Sequence, residues 1–203
     1  MFVTFEGIDL AGKSTQAELL EQYLKNKGFD VVILREPGGT EVSEKIREIL
    51  LNPKFTFNSF TELFLFEASR ADLVRKVIKP KLEQGCIVIC DRFWDSTIAY
   101  QGYGRKIPLN FIETCNLYAS DGLEPNLTFL LDIPLDVVLE RLKNKSTDRM
   151  ENEDRDFLIR VINGFRELSN RYPNRIQVVD GTGRIEDIHQ RIIEIINNFM
   201  GKK

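Results

Sequence analysis

The chain has 203 residues, enough for one α/β domain with a full core, and its charges nearly cancel to a formal net charge of -3. That balance excludes the global basic footprint of a nucleic-acid partner, and no apolar run approaches the length of a membrane span. The cysteines are odd in number and no signal-peptide pattern opens the chain, so free buried thiols in a reducing, cytoplasmic setting are expected, with Cys86 and Cys90 sharing one apolar run.

Five apolar runs read as buried strands, at 1–6, 30–35, 86–90, 127–132 and 175–180. Helical patterns fill the intervals near 13–27, 40–51, 60–84, 108–120, 134–145, 154–171 and 185–200. Strands alternating with helices predict an α/β fold with a parallel sheet wrapped on both faces, whose ligands sit at the carboxyl ends of the strands.

The first strand runs into Gly7-Ile8-Asp9-Leu10-Ala11-Gly12-Lys13-Ser14, then Thr15. This is the phosphate-loop pattern in its required setting of strand, glycine loop and helix. The glycines let backbone N–H groups point inward at phosphate oxygens, and the new helix adds its positive end. Lys13 supplies a point charge for the β- and γ-phosphates, and the Ser14 hydroxyl is placed to ligate Mg²⁺. A bound nucleoside triphosphate is the expectation.

The second strand ends in Arg35-Glu36-Pro37-Gly38-Gly39-Thr40, a turn in which Thr40 is a candidate cap for the next helix. In the following helix Phe66 and Arg70 stand four apart and share a face. Spacing alone favours a core aromatic and a surface charge. A ring beside a guanidinium also suits a base to be stacked and a phosphate to be gripped. The third strand closes on Asp91-Arg92, an apolar run ending in a carboxylate of the kind that supports Mg²⁺. Beyond it Ser96, Thr97, Tyr100, Gln101 and Arg105 offer groups to read a base and sugar, or form an ordinary polar loop.

After the fourth strand, a segment near 141–155 is basic first and acidic later, with no apolar stripe. It reads as a lid over phosphates, with Arg141, Lys143, Lys145 and Arg149 as its cations. Asn144-Lys145 does not follow a strand, and position 147 is Thr, so a guanine-reading motif is discounted. The turn Asp180-Gly181-Thr182-Gly183 is equally a candidate for backbone contact with adenine and a plain helix-entry turn, and His189 is a packing or surface residue in the last helix.

As an ordered set these stretches resemble the thymidylate kinase family of P-loop nucleoside monophosphate kinases. The likeness runs from Phe5-Glu6-Gly7-Ile8-Asp9 through Gly12-Lys13-Ser14-Thr15, Arg35 to Thr40, Phe66 with Arg70, and Asp91-Arg92-Phe93 to Gln101, essentially the whole chain. The resemblance implies a P-loop NTPase fold in a single domain, with strand one central in a five-stranded parallel sheet and a small lid. It also implies ATP and dTMP as substrates, with Mg²⁺ held by Ser14, Asp9 and Asp91, and a homodimer. Asp9, Lys13, Arg92 and Arg149 would be catalytic. Residues 7–15 with Arg141, Lys143 and Lys145 would bind ATP. Asp9, Glu36, Pro37, Phe66, Arg70, Arg92, Ser96, Thr97, Tyr100 and Gln101 would bind dTMP, with Phe66 stacked on thymine and Tyr100 under the deoxyribose. Leu10 stands where the family commonly has Gly or a catalytic Arg, so the lid is expected to supply the missing charge. Phe93 replaces the commoner Tyr. Two rivals stay open on the residues: a deoxynucleoside kinase using Glu36 as base, and a nucleotide switch or binding protein without transfer activity.

Overall fold

The computed structural model describes residues 1–143, 149–150 and 153–201. In chain order these form β1 (Phe2–Glu6), α1 (Lys13–Asn26), β2 (Val31–Arg35), α2 (Glu41–Leu51), α3 (Ser59–Leu73), a π-helical turn (Val74–Ile78) and α4 (Lys79–Glu83). There follow β3 (Ile87–Asp91), α5 (Trp94–Thr97), a second π-helical segment (Ile98–Gly104) and α6 (Leu109–Ala119). The chain then runs through β4 (Leu127–Asp132), α7 (Leu135–Leu142), α8 (Arg155–Arg171), β5 (Ile176–Asp180) and α9 (Ile185–Met200).

The five strands pair in parallel in the order β2-β3-β1-β4-β5, so β1 is central, as expected. Its register sets Phe5 beside Phe129 on one side and Asp91 on the other, bringing the loops after β1 and β3 together at one edge. All five residues of β1 are buried, which a strand covered on both faces requires. Alternation sends Val3, Phe5, Ile89 and Phe129 into the larger core, with the rings of Phe5 and Phe129 5.1 Å apart. Phe2, Val88 and Cys90 point the other way, onto Leu73, Val74, Ile78 and Phe93.

The predicted strands hold to within a residue. The helix expected over 60–84 is broken by a π-helical turn, and 94–104, where no helix is expected from sequence, is helical. Thr40 caps α2 by accepting from Ser43 N, Asn58 caps α3, and Asp154 caps α8. Cys86 and Cys90 are buried free thiols. No described helix is long and apolar enough to cross a membrane.

Candidate active site

The phosphate loop leaves β1 through Gly7, whose φ of 135° and lack of a side chain bring the backbone against β4. A Cβ there would lie 2.5 Å from the Leu131 carbonyl oxygen. Leu10 adopts a left-handed φ of 65°, a strained conformation for a residue with a Cβ. No side-chain hydrogen bond caps α1, so its first N–H groups are left directed at the loop's concavity. Lys13 is buried and donates to the Ile8 carbonyl at 2.9 Å. Burial, with the charge of Arg92, lowers its ammonium to about 8 against the pull of Asp91 and Asp9. The Ser14 hydroxyl donates to Asp91 Oδ2 at 2.5 Å across the end of β3, and Arg35, Glu36, Arg47 and Arg92 line the cleft in front.

Arg92 joins this cleft to a second cavity. Its own φ of 71° is left-handed, and its guanidinium donates to Gly7 O and Ser96 Oγ (2.9 Å each), Asp9 Oδ1 (2.5 Å) and Tyr100 Oη (3.3 Å). Tyr100 donates in turn to Asp9 Oδ2 at 2.6 Å. Burial alone pushes the Asp9 carboxyl up, but Arg92 and Lys13 outweigh it and hold the group down at about 2. Beneath the loop Glu6 accepts from Phe93 N and the Ser96 hydroxyl. Burial, aided by Asp95, pushes its carboxyl up to about 8.

The second cavity is lined by Asp9, Glu36, Pro37, Phe66, Arg92, Ser96, Thr97, Tyr100 and Gln101, nine of the ten residues assigned from sequence to the acceptor nucleotide. Arg70, the tenth, is not among its lining residues and is not a surface charge either. It is 1% exposed, and its five N–H groups go to Glu36 (two), Glu67, Asn116 and Thr97. Burial pushes Glu36 up to about 7 in spite of Arg70. The same cavity is walled by Arg47, Leu51 and Met150, which the sequence reading passed over. Arg47 and Leu51 stand four apart on α2, the same spacing rule that paired Phe66 with Arg70. Met150 carried no comparable signal.

The basic segment divides. Arg141 donates to the Leu10 carbonyl at 2.6 Å and so touches the phosphate loop. Lys143 is exposed at the end of α7, and Lys145 lies outside the described residues, as does the middle of the expected lid. Arg149 donates to Leu50 O at 2.8 Å and Glu62 Oε2 at 2.6 Å, with its guanidinium 4.9 Å over Phe57. The buried Glu62 carboxylate holds it there, which spacing along a charge run does not reveal. A Cβ at Gly181 would lie 3.3 Å from the Ala11 carbonyl oxygen, so the turn after β5 runs close to the loop. His189 is half-buried, its ring 6.5 Å from Tyr23.

A glycine loop feeding an uncapped helix, facing a second cavity across one arginine, defines a P-loop phosphotransferase with donor and acceptor sites end to end. The family model described as Thymidylate kinase matches residues 5–192. Two thymidylate kinases are similar over nearly their whole lengths. That of Thermosipho africanus is 48% identical over 98% of this chain and 99% of its own, and that of Kosmotoga olearia is 46% identical over 96% and 94%. The crystal structure of thymidylate kinase from Ehrlichia chaffeensis superposes with a TM-score of 0.79, at 38% identity, over 97% of this chain and 98% of that one. The chain belongs to the thymidylate kinase family.

Proposed function

We propose that this enzyme transfers the γ-phosphoryl group of ATP to dTMP, giving ADP and dTDP. The observation that carries the reading is the Asp9–Arg92–Tyr100 cluster, which borders the phosphate-loop cleft on one side and the aromatic cavity on the other. The acceptor phosphate is already an anionic nucleophile, so the reaction needs positioning and charge neutralisation rather than a base. Lys13 and the amides of residues 7–15 serve the donor phosphates, and Arg92 bridges the two nucleotides. Arg141 supplies charge at the loop where Leu10 has none. Phe66 stacks on the base, while Ser96, Thr97, Gln101, Glu36 and Pro37 shape its pocket. Tyr100, whose ring lies 5.1 Å under the Arg92 guanidinium, fills the space a 2′-hydroxyl would need. Arg70 acts from behind, holding Glu36 and Thr97 in place.

Mg²⁺ belongs to the same proposal. The donor set of Ser14, Asp91 and Asp9 fits it, because Mg²⁺ keeps waters and phosphate oxygens and takes few protein ligands. Among the described residues no group of three or more His, Cys, Asp or Glu forms a closed cage. When bound, the ion would neutralise charge on the donor phosphates. Buried unpaired Cys86 and Cys90 support a reducing, cytoplasmic setting. The exposed apolar side chains of Phe60, Phe64, Phe111, Leu117 and Tyr118 on α3 and α6 support a homodimer.

ADP release tests the reading, with ATP and Mg²⁺ against a panel of nucleoside monophosphates and thymidine. Turnover is expected with dTMP and absent with thymidine. Turnover on thymidine would install the deoxynucleoside kinase in its place.

A further inference from the structure

Glu62 sits in the first turn of α3 with its side chain 1% exposed, yet no role in binding or chemistry falls to it. Its carboxylate accepts four hydrogen bonds. Oε1 takes them from Gln101 Nε2 (2.9 Å) and Arg105 Nε (3.0 Å), and Oε2 from a terminal nitrogen of Arg105 (2.9 Å) and of Arg149 (2.6 Å). These donors come from separate stretches: the second π-helical segment, the residue that closes it, and the short stretch before α8. Arg105 also reaches Glu153, and its guanidinium lies 4.5 Å over Phe157.

Two of the tied elements face the acceptor cavity. Gln101 lines it directly, and so does Met150, next in the chain to Arg149. An ionised carboxylate can only accept, so the Gln101 amide must turn its NH₂ group to Glu62 and keep its carbonyl for the other side. A carboxylate this buried is disfavoured by each donor it loses, so removing one loosens the hold on the others.

We propose that Glu62 is a positioning residue for the acceptor nucleotide: one ionic knot sets the Gln101 amide and the Met150 wall before the base arrives. Arg149 belongs to that knot rather than to the transferred phosphoryl. The inference rests on the reading of this cavity as the dTMP site. Loosening the knot lowers the fraction of enzyme competent to bind dTMP, which raises the apparent dissociation constant without touching the phosphate loop.

The test is steady-state kinetics of the full chain with Glu62→Gln and Arg149→Met, each checked for folding by thermal unfolding. Both are expected to raise KM for dTMP about tenfold or more, with KM for ATP and kcat at saturating dTMP kept within about threefold. A KM for dTMP unchanged in the folded variants overturns the proposal. So does a kcat loss in Arg149→Met larger than the rise in KM, which is the signature of a cation on the moving phosphoryl. Should Glu62→Gln fail to fold, Arg149→Met leaves the Glu62–Arg105 pair intact and decides alone. If the unaltered enzyme releases no ADP on dTMP, the functional reading falls, and the knot's role with it.

Discussion

Arg92 lines both the phosphate-loop cleft and the second cavity. It sits in a strained left-handed conformation and spends its N–H groups on Gly7, Asp9, Ser96 and Tyr100. Arg92→Ala is expected to cost about 3–4 kcal/mol of transition-state stabilisation, roughly a hundred- to thousandfold in kcat, in an ADP-release assay. Glu6, directly below, carries a pH signature. Its folded carboxyl titrates near 8 against an ordinary 4.5, so between those values the folded chain holds a proton that the unfolded chain has lost. Stability therefore falls as pH rises from 4.5 to 8 and levels off above. Glu6→Gln removes this term, so its gain over the unaltered chain in urea unfolding should be larger at pH 8 than at pH 5. At this scale most of the residues singled out from sequence line the two cavities, because chemistry-bearing residues next to strand ends announce themselves. Spacing alone placed Arg70 at the surface and named no partner for Arg149, for one reason. A guanidinium's surroundings are decided by carboxylates distant in the chain, here Glu36, Glu62 and Glu67, and local spacing is silent about them.

Among the elements, the strands were legible because runs such as Cys86-Ile87-Val88-Ile89-Cys90 are buried on both faces and need no partner to be recognised. The segment 94–104 was not. Its hydroxyl, amide and glycine residues have low helix propensity, and packing against α8 is what winds it. That packing is close. A Cβ at Gly164 would lie 2.8 Å from the ring of Tyr103, and Gly104 meets Phe157 in the same way. Gly164→Ala is expected to destabilise the fold by about 1–3 kcal/mol, lowering Tm by several degrees. Because Tyr100 and Gln101 ride on that segment, KM for dTMP should rise as well. An unchanged Tm would mean the interface is looser than the distances require.

For the whole molecule, the apolar surface on α3 and α6 is the feature a single chain leaves unexplained. The ring of Phe111 lies 5.8 Å from that of Phe60 and 6.3 Å from that of Phe64, and Phe64 remains 52% exposed. A second copy would bury this patch. If the proposed homodimer forms through this patch, Phe64→Glu is expected to leave only monomer in analytical ultracentrifugation while the helical content is unchanged. α3 also carries Glu62, Phe66 and Arg70, so the same helix presents one face to the proposed partner and another to the acceptor cavity.

The central place of β1 has a consequence for how the protein comes apart. A strand hydrogen-bonded on both flanks cannot fray, so the amides of Val3 to Phe5 should exchange with deuterium only through global opening, while β2 and β5 at the margins release theirs through smaller excursions. Partly opened molecules would then still carry an intact nucleotide cradle, and saturating ATP should protect the centre of the sheet far more than its borders.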